Sequence, residues 1–307
     1  MLLFFVLFQK KIIFAIQIFE IINLHNIMEI NELKRVASQV RRDIIRMVHG
    51  CQSGHPGGSL GATDLVTALY FDQMQIDPAN FRMDGNGEDM FFLSNGHISP
   101  MFYSILARRG YFPVKELATF RRLGTRLQGH PTTAEGLPGI RVASGSLGQG
   151  LSVAVGAAQA KRLNNDQHLV FVLMGDGEQD EGQIWEAAMY AGAKKIDNLV
   201  GILDYNKKQI DGPTDAVMNL GDMKAKYEAF GWKVIELNGN DMQQVVDALN
   251  QARKGAHQGV PQLLLAHTEM GMGVDFMMGT HKWHGTAPND EQAANALSQL
   301  EETLGDY

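Results

Sequence analysis

The 307-residue chain has a single cysteine, Cys51, which rules out an intrachain disulfide and leaves packing to hold the fold. It has no polybasic run, and its formal charge of -7 disfavours nonspecific attraction to nucleic acid or anionic membranes. Any anionic ligand must therefore be held by a local arrangement of groups. No stretch reaches the roughly 18 consecutive apolar residues that a membrane-spanning helix needs. There is no internal repeat and no low-complexity linker. Gly-x-Gly-x-x-Gly after a strand and Gly-Lys-Ser/Thr are both missing, which sets aside dinucleotide-binding and P-loop chemistry. What remains, 45% hydrophobic and 20% charged residues, is the composition of a globular protein, expected in the cytoplasm with neither nucleic acid nor membrane as partner.

The first 27 residues stand apart, being almost all Phe, Ile and Leu around Gln9, Lys10 and Lys11. They lack the basic start and small-residue cleavage site of a signal peptide, and read as an extension upstream of a true initiator at Met28, with a membrane-associated segment as the second reading. From Glu29 onward, helical and strand patterns alternate. Residues 30–49 place Leu33, Val36, Val40, Ile44, Ile45 and Val48 on one stripe, and helical spacing recurs at 60–72, 99–109, 183–195, 222–230 and 241–254. Strands are expected at 90–93, 169–174, 199–203, 234–237 and 262–266, the middle three apolar on both faces. Such repeated βαβ units predict one doubly wound α/β domain with a mainly parallel sheet flanked by helices.

The most informative segment is Val170-Phe-Val-Leu-Met-Gly-Asp-Gly177, an apolar strand ending in Gly-Asp-Gly. Open α/β sheets bind ligands at the carboxyl ends of their strands. Glycines flanking Asp176 let the backbone approach a bulky anion, and its carboxylate suits a hard divalent cation. The next strand runs into Asp204-Tyr-Asn206-Lys-Lys208, which would set an amide oxygen beside that carboxylate. On these facts alone, two polar βα loops with no ligand serve equally well. A zinc site on His281-x-x-His284 is open on spacing, although no third ligand stands nearby.

Gly-Asp-Gly followed after about thirty residues by an Asn at the end of an apolar strand resembles the diphosphate-binding motif of thiamine-diphosphate enzymes. Ser53-Gly-His-Pro-Gly57, Leu93-Ser-Asn-Gly-His97, Gln128-Gly-His-Pro131, Gly145-Ser-Leu-Gly-Gln-Gly150 and Gly279-Thr-His-Lys-Trp-His-Gly285 resemble signatures of the transketolase family, in its order. The resemblance covers about residues 30 to 300. It makes residues 28–307 a thiamine diphosphate-binding domain that holds the diphosphate and metal.

The same resemblance implies individual roles. Asp176, the Asn206 side chain and the Lys208 carbonyl would hold the metal, Mg2+ with Ca2+ or Mn2+ as alternatives. Gly145, Ser146 and Leu147 would run beside the cofactor, and the amino end of the helix from Gly148 to Leu163 would add free N–H groups. Gly177 would face the diphosphate, with His97 and His281 bonding it or the donor sugar. His55, His97, His130 and His281 would line the channel to the reactive carbon, where imidazole can donate to hydroxyls and move protons near neutrality. Taken singly, any one of the chain's 10 histidines is more often structural. Glu181 matches an acidic residue that reaches the partner's catalytic glutamate, or it is merely a carboxylate at a helix start. Asp180, Tyr205 and Ser146 depart from the residues usual in the family, glutamine, Asp or Asn, and proline.

Family members continue into a second domain that binds the aminopyrimidine ring. The implied assembly is a heterotetramer with a C-terminal transketolase subunit, transferring a two-carbon ketol unit between sugar phosphates, as in the pentose phosphate pathway. The alternatives are part of a sugar-phosphate synthase and a non-catalytic regulatory module.

Overall fold

The computed structural model describes residues 28–307, so the reading of residues 1–27 lies outside the described residues. Helices α1 (Ile30–Cys51), α2 (Pro56–Gly61) and α3 (Thr63–Ala68) precede strand β1 (Met90–Leu93). Then come α4 (Ser99–Arg108), α5 (Gln149–Leu163), β2 (Val170–Gly175), α6 (Gly182–Ala193) and β3 (Leu199–Tyr205). A ribbon of β4 (Lys208–Gln209) and β5 (Gly212–Pro213) leads to α7 (Thr214–Val217) and α8 (Met223–Ala229). The chain continues through β6 (Lys233–Asn238), α9 (Met242–Gly255), β7 (Gln262–His267) and α10 (Asp290–Gln299).

Five strands form one wholly parallel sheet in the order β1-β2-β3-β7-β6. Period-two alternation sends Phe91, Phe171, Leu173, Val200, Ile202 and Leu264 to one face and Phe92, Val170, Val172, Met174, Leu199 and Leu263 to the other. The first face packs against α1, α3, α4, α9 and α10, the second against α5, α6 and α8. Each large side chain buried this way is worth roughly 1.5–3 kcal/mol over its exposed state. The doubly wound α/β architecture follows, with all five strands ending at one edge.

Local signals set the element ends. Gln52 closes α1 in the left-handed conformation, at φ 51°. Asp241 caps α9 by accepting the Gln243 and Gln244 amides, and Asn289 with Gln292 forms a capping box on α10. Two buried ion pairs lock α1 to its neighbours: Asp43 to Arg108 of α4, at 2.8 Å for one oxygen, and Arg41 to Asp64 of α3 at 2.6 Å.

Two expectations are corrected. Residues 60–72 are not one helix but the end of α2, then α3, then a π turn over Leu69–Gln73. The break lets the glycines of α2 press on the 269–283 loop, where a Cβ on Gly57 would lie 2.8 Å from the Trp283 carbonyl and one on Gly61 2.9 Å from that of Glu269. The segment 234–237 is not covered on both faces either: β6 is the sheet edge and exposes Glu236, while β7 crosses back between β3 and β6 and is the buried strand. Among the described residues no helix is long and apolar enough to cross a membrane.

Candidate active site

The carboxyl ends of β1, β2, β3 and β7 open into a cleft of about 180 Å3. Asp176, just past β2, is 2% exposed; its Oδ1 accepts the Gly177 amide at 2.7 Å and its Oδ2 accepts the Lys207 amide. Burial, and then the neighbouring Asp204 carboxylate, push the Asp176 carboxyl up to about 7. Asp204 is itself pushed up to about 6 by burial, against hydrogen bonds donated by Thr268 and Asn206. Asn206 Oδ1 accepts the Lys208 amide at 2.9 Å, folding the loop after β3 toward Asp176. The Lys208 ammonium meets Glu269 at 3.0 Å, and the same Glu269 oxygen accepts the Gly279 amide at 2.8 Å. One carboxylate thus ties the loop after β3 to the loop that leads to His284.

The imidazoles of His55, His97 and His284 line the same cleft. His55 lies 5.1 Å from His97 and 5.7 Å from His284 between ring centroids, and His97 stacks on His284 at 5.1 Å. Burial lowers His55 to about 4, helped by cationic repulsion from His284, Arg121 and His130. Burial likewise holds His97 well below its usual range and lowers His284. These rings are neutral at pH 7, each able to donate one N–H and accept at its other nitrogen. His130 lies 6.3 Å from His55 and is exposed, and its proton affinity is lowered by burial and by Arg121.

Gly145 and Leu147 of the loop before α5 also line the cleft. Gly145 has φ 122°, and a Cβ there would meet the His130 ring at 2.6 Å, so only glycine allows the loop to run beneath that imidazole. Two amides at the amino end of α5 are taken up within the protein. The Gly148 amide goes to Glu178 at 2.8 Å and the Gly150 amide to Ser94 at 3.1 Å.

The sequence matches the family model described as "Transketolase, thiamine diphosphate binding domain" over residues 33–304. The chain belongs to the transketolase family. It is 38% identical over 277 residues to an apulose-4-phosphate transketolase subunit of Phocaeicola vulgatus, covering 90% of this chain and 96% of that relative. It is 40% identical over 271 residues to the 6-deoxy-6-sulfo-D-fructose transketolase subunit SqwG of a Clostridium species, covering 88% and 96%. The transketolase structure from Campylobacter jejuni superposes with a TM-score of 0.81 at 32% identity, covering 89% of this chain but 43% of that one. The chain therefore spans under half the length of that full-length transketolase, and nearly all of the two relatives named as subunits.

The cleft of this transketolase-family domain suits a diphosphate with its cation. The donor set beside Asp176 is all oxygen, as a hard cation requires, and a cation would reverse the rise in the carboxyl's proton affinity. Among the described residues no three His, Cys, Asp or Glu side chains gather as a metal site, so the zinc alternative on His281 and His284 has no third ligand. Buried polar atoms without a hydrogen-bond partner cluster here: His55 Nδ1, Asn95 Oδ1, Gln209 Nε2 and His284 Nδ1.

Of the residues singled out from sequence, His55, His97, Gly145, Leu147, Asp176, Gly177, Asn206 and Lys208 line this cleft. Ser146 is exposed at its rim, and Glu181 is exposed at the start of α6 without capping it. His281 is not brought into the imidazole cluster. Its place is taken by His284, because the chain turns between them, with the His284 amide bonded to the His281 carbonyl at 2.9 Å. Sequence reasoning missed Glu178, Asp204 and Asn95. A carboxylate one residue past Gly-Asp-Gly, and another near the carboxyl end of an apolar strand, were the available signals.

Proposed function

We propose that this chain is the diphosphate- and metal-binding subunit of a two-subunit transketolase, moving a two-carbon ketol unit from a ketose phosphate to an aldose phosphate. The observation that carries this reading is one cleft lined both by buried Asp176 with Asn206 and by three neutral imidazoles. In this reading Asp176, Asn206 Oδ1 and the Lys208 carbonyl hold Mg2+, and the backbone at Gly145, Ser146, Leu147 and Gly177 flanks the cofactor. When bound, thiamine diphosphate supplies the nucleophilic carbon and electron sink that no side chain here offers.

The protein's own work is positioning and proton handling. His55, His97 and His284 accept and donate hydrogen bonds to the donor's hydroxyls, and their lowered proton affinity makes any proton taken up easy to return. His130, near the mouth, meets the sugar first. Glu181, exposed beside Gly148, faces the partner subunit, which brings the pyrimidine-binding half. Two relatives named for different sugars, both spanned almost whole, support one component of a split enzyme with a donor defined by class, an anionic ketose.

The test is ketol transfer by the purified chain with thiamine diphosphate, Mg2+ and a ketose phosphate plus an aldose phosphate, with and without the product of the adjacent gene. Activity in the mixture alone, abolished by Asp176→Ala, is the expected result. Activity of the chain by itself would overturn the two-subunit reading, and inactivity throughout would overturn the substrate class.

A further inference from the structure

Glu178 has no part in the roles above, yet it is 1% exposed in the wall of the cleft. One of its oxygens accepts the Ser94 hydroxyl and the Gly148 amide, the latter at 2.8 Å, and the other accepts the Gly175 amide at 3.0 Å. Ser94 Oγ in turn accepts the Gly150 amide at 3.1 Å. One carboxylate therefore gathers the end of β1, the end of β2 and the amino end of α5. The approach is close: a Cβ on Gly150 would stand 2.4 Å from Ser94 Cβ.

We propose that Glu178 is a positioning residue for the diphosphate, an internal anion that occupies the amino end of α5 and fixes the Gly145–Leu147 turn relative to Asp176 and Gly177. A buried carboxylate is costly unless it is well supplied with donors, and this one has three together with the positive end of a helix dipole. The Gly148 and Gly150 amides are spent on it and on Ser94, so these two do not serve the ligand, and the carboxylate holds the loop that leads into the helix. This rests on the cofactor reading above.

Three variants separate geometry from charge. Glu178→Asp keeps the charge but withdraws the carboxylate by one methylene, so it cannot reach all three donors. Ser94→Ala keeps Glu178 and orphans the Gly150 amide. Glu178→Gln keeps one oxygen for Ser94 and Gly148 but turns an NH2 toward the Gly175 amide, and should fall between wild type and Glu178→Asp.

Two readouts are taken: hydrogen exchange of the 145–152 segment in the free chain, and calorimetric affinity for thiamine diphosphate at saturating Mg2+ in the chain mixed with its partner. Glu178→Asp should speed exchange in that segment and weaken cofactor binding roughly 10- to 100-fold. The sugar KM at saturating cofactor should stay unchanged, and Ser94→Ala should show a smaller effect of the same kind. Wild-type exchange in Glu178→Asp and Ser94→Ala, or faster exchange with unaltered cofactor affinity, would overturn the proposal. If Glu178→Asp does not fold, Ser94→Ala carries both readouts. Failure of the wild-type mixture to bind cofactor would instead count against the proposed function, and the exchange data would still judge Glu178.

Discussion

Lowering the pH should strip Mg2+ from this protein well above the ordinary range of an aspartate. With the Asp176 carboxyl at about 7 in the metal-free protein, burial and Asp204 keep a proton on it near neutrality. Its ionised fraction falls from about nine-tenths at pH 8 to about one-tenth at pH 6, so Mg2+ affinity should fall about tenfold, or about 1.4 kcal/mol, over that range. The sign for stability follows from the same shift. The folded carboxyl binds its proton more tightly than the unfolded one, so its contribution is present at low pH and is lost as the pH rises through about 7 in metal-free protein. Bound Mg2+ should remove that loss. Calorimetric titration of Mg2+ at pH 6, 7 and 8, in buffers of differing ionisation enthalpy, would report the proton released. The cofactor's own phosphate titrates nearby, so Asp204→Asn is the control: removing that carboxylate should move the inflection to lower pH, which no property of the cofactor can do. An affinity flat between pH 6 and 8, or an inflection unmoved in Asp204→Asn, would refute the reasoning.

His284→Ala should lower kcat/KM for the donor about tenfold or more by removing a buried hydrogen-bonding ring, whereas His281→Ala should stay within about twofold; steady-state kinetics at saturating cofactor distinguish them. Asp43→Ala strands the Arg108 guanidinium against α1 and should cost roughly 3–5 kcal/mol in urea denaturation, with the cleft unaffected. Gly192→Ala puts a Cβ 1.8 Å from the Phe230 carbonyl, and the forced separation of α6 from the end of α8 should cost roughly 3 kcal/mol by the same measurement.

Periodicity and local chemistry carried far. The stripe of Leu33, Val36, Val40, Ile44, Ile45 and Val48 requires a helix with one buried face, and α1 has it. The apolar runs at Val170 and Leu199 require strands covered on both sides, and the end of such a strand is where Gly175-Asp176-Gly177 lies. These readings succeed because helix and strand periods are fixed by backbone geometry within a few residues.

The spatial order of strands was not legible in that way. Val234 to Leu237 and Gln262 to Ala266 look alike locally, and only the crossing of α9 back over the sheet makes β7 central and β6 the edge. The site shows the same division. The sequence alone specified a carboxylate and an amide at neighbouring strand ends and several glycine-flanked histidines. Tertiary structure decided that His284 rather than His281 completes the cluster, since a turn between them sets which ring faces inward. It also decided that Glu178 takes the Gly148 amide at the start of α5 and the Ser94 hydroxyl past β1, partners that lie 30 and 84 residues from it along the chain. Such contacts arise only when two strand ends and a helix end meet, and no local pattern encodes that meeting.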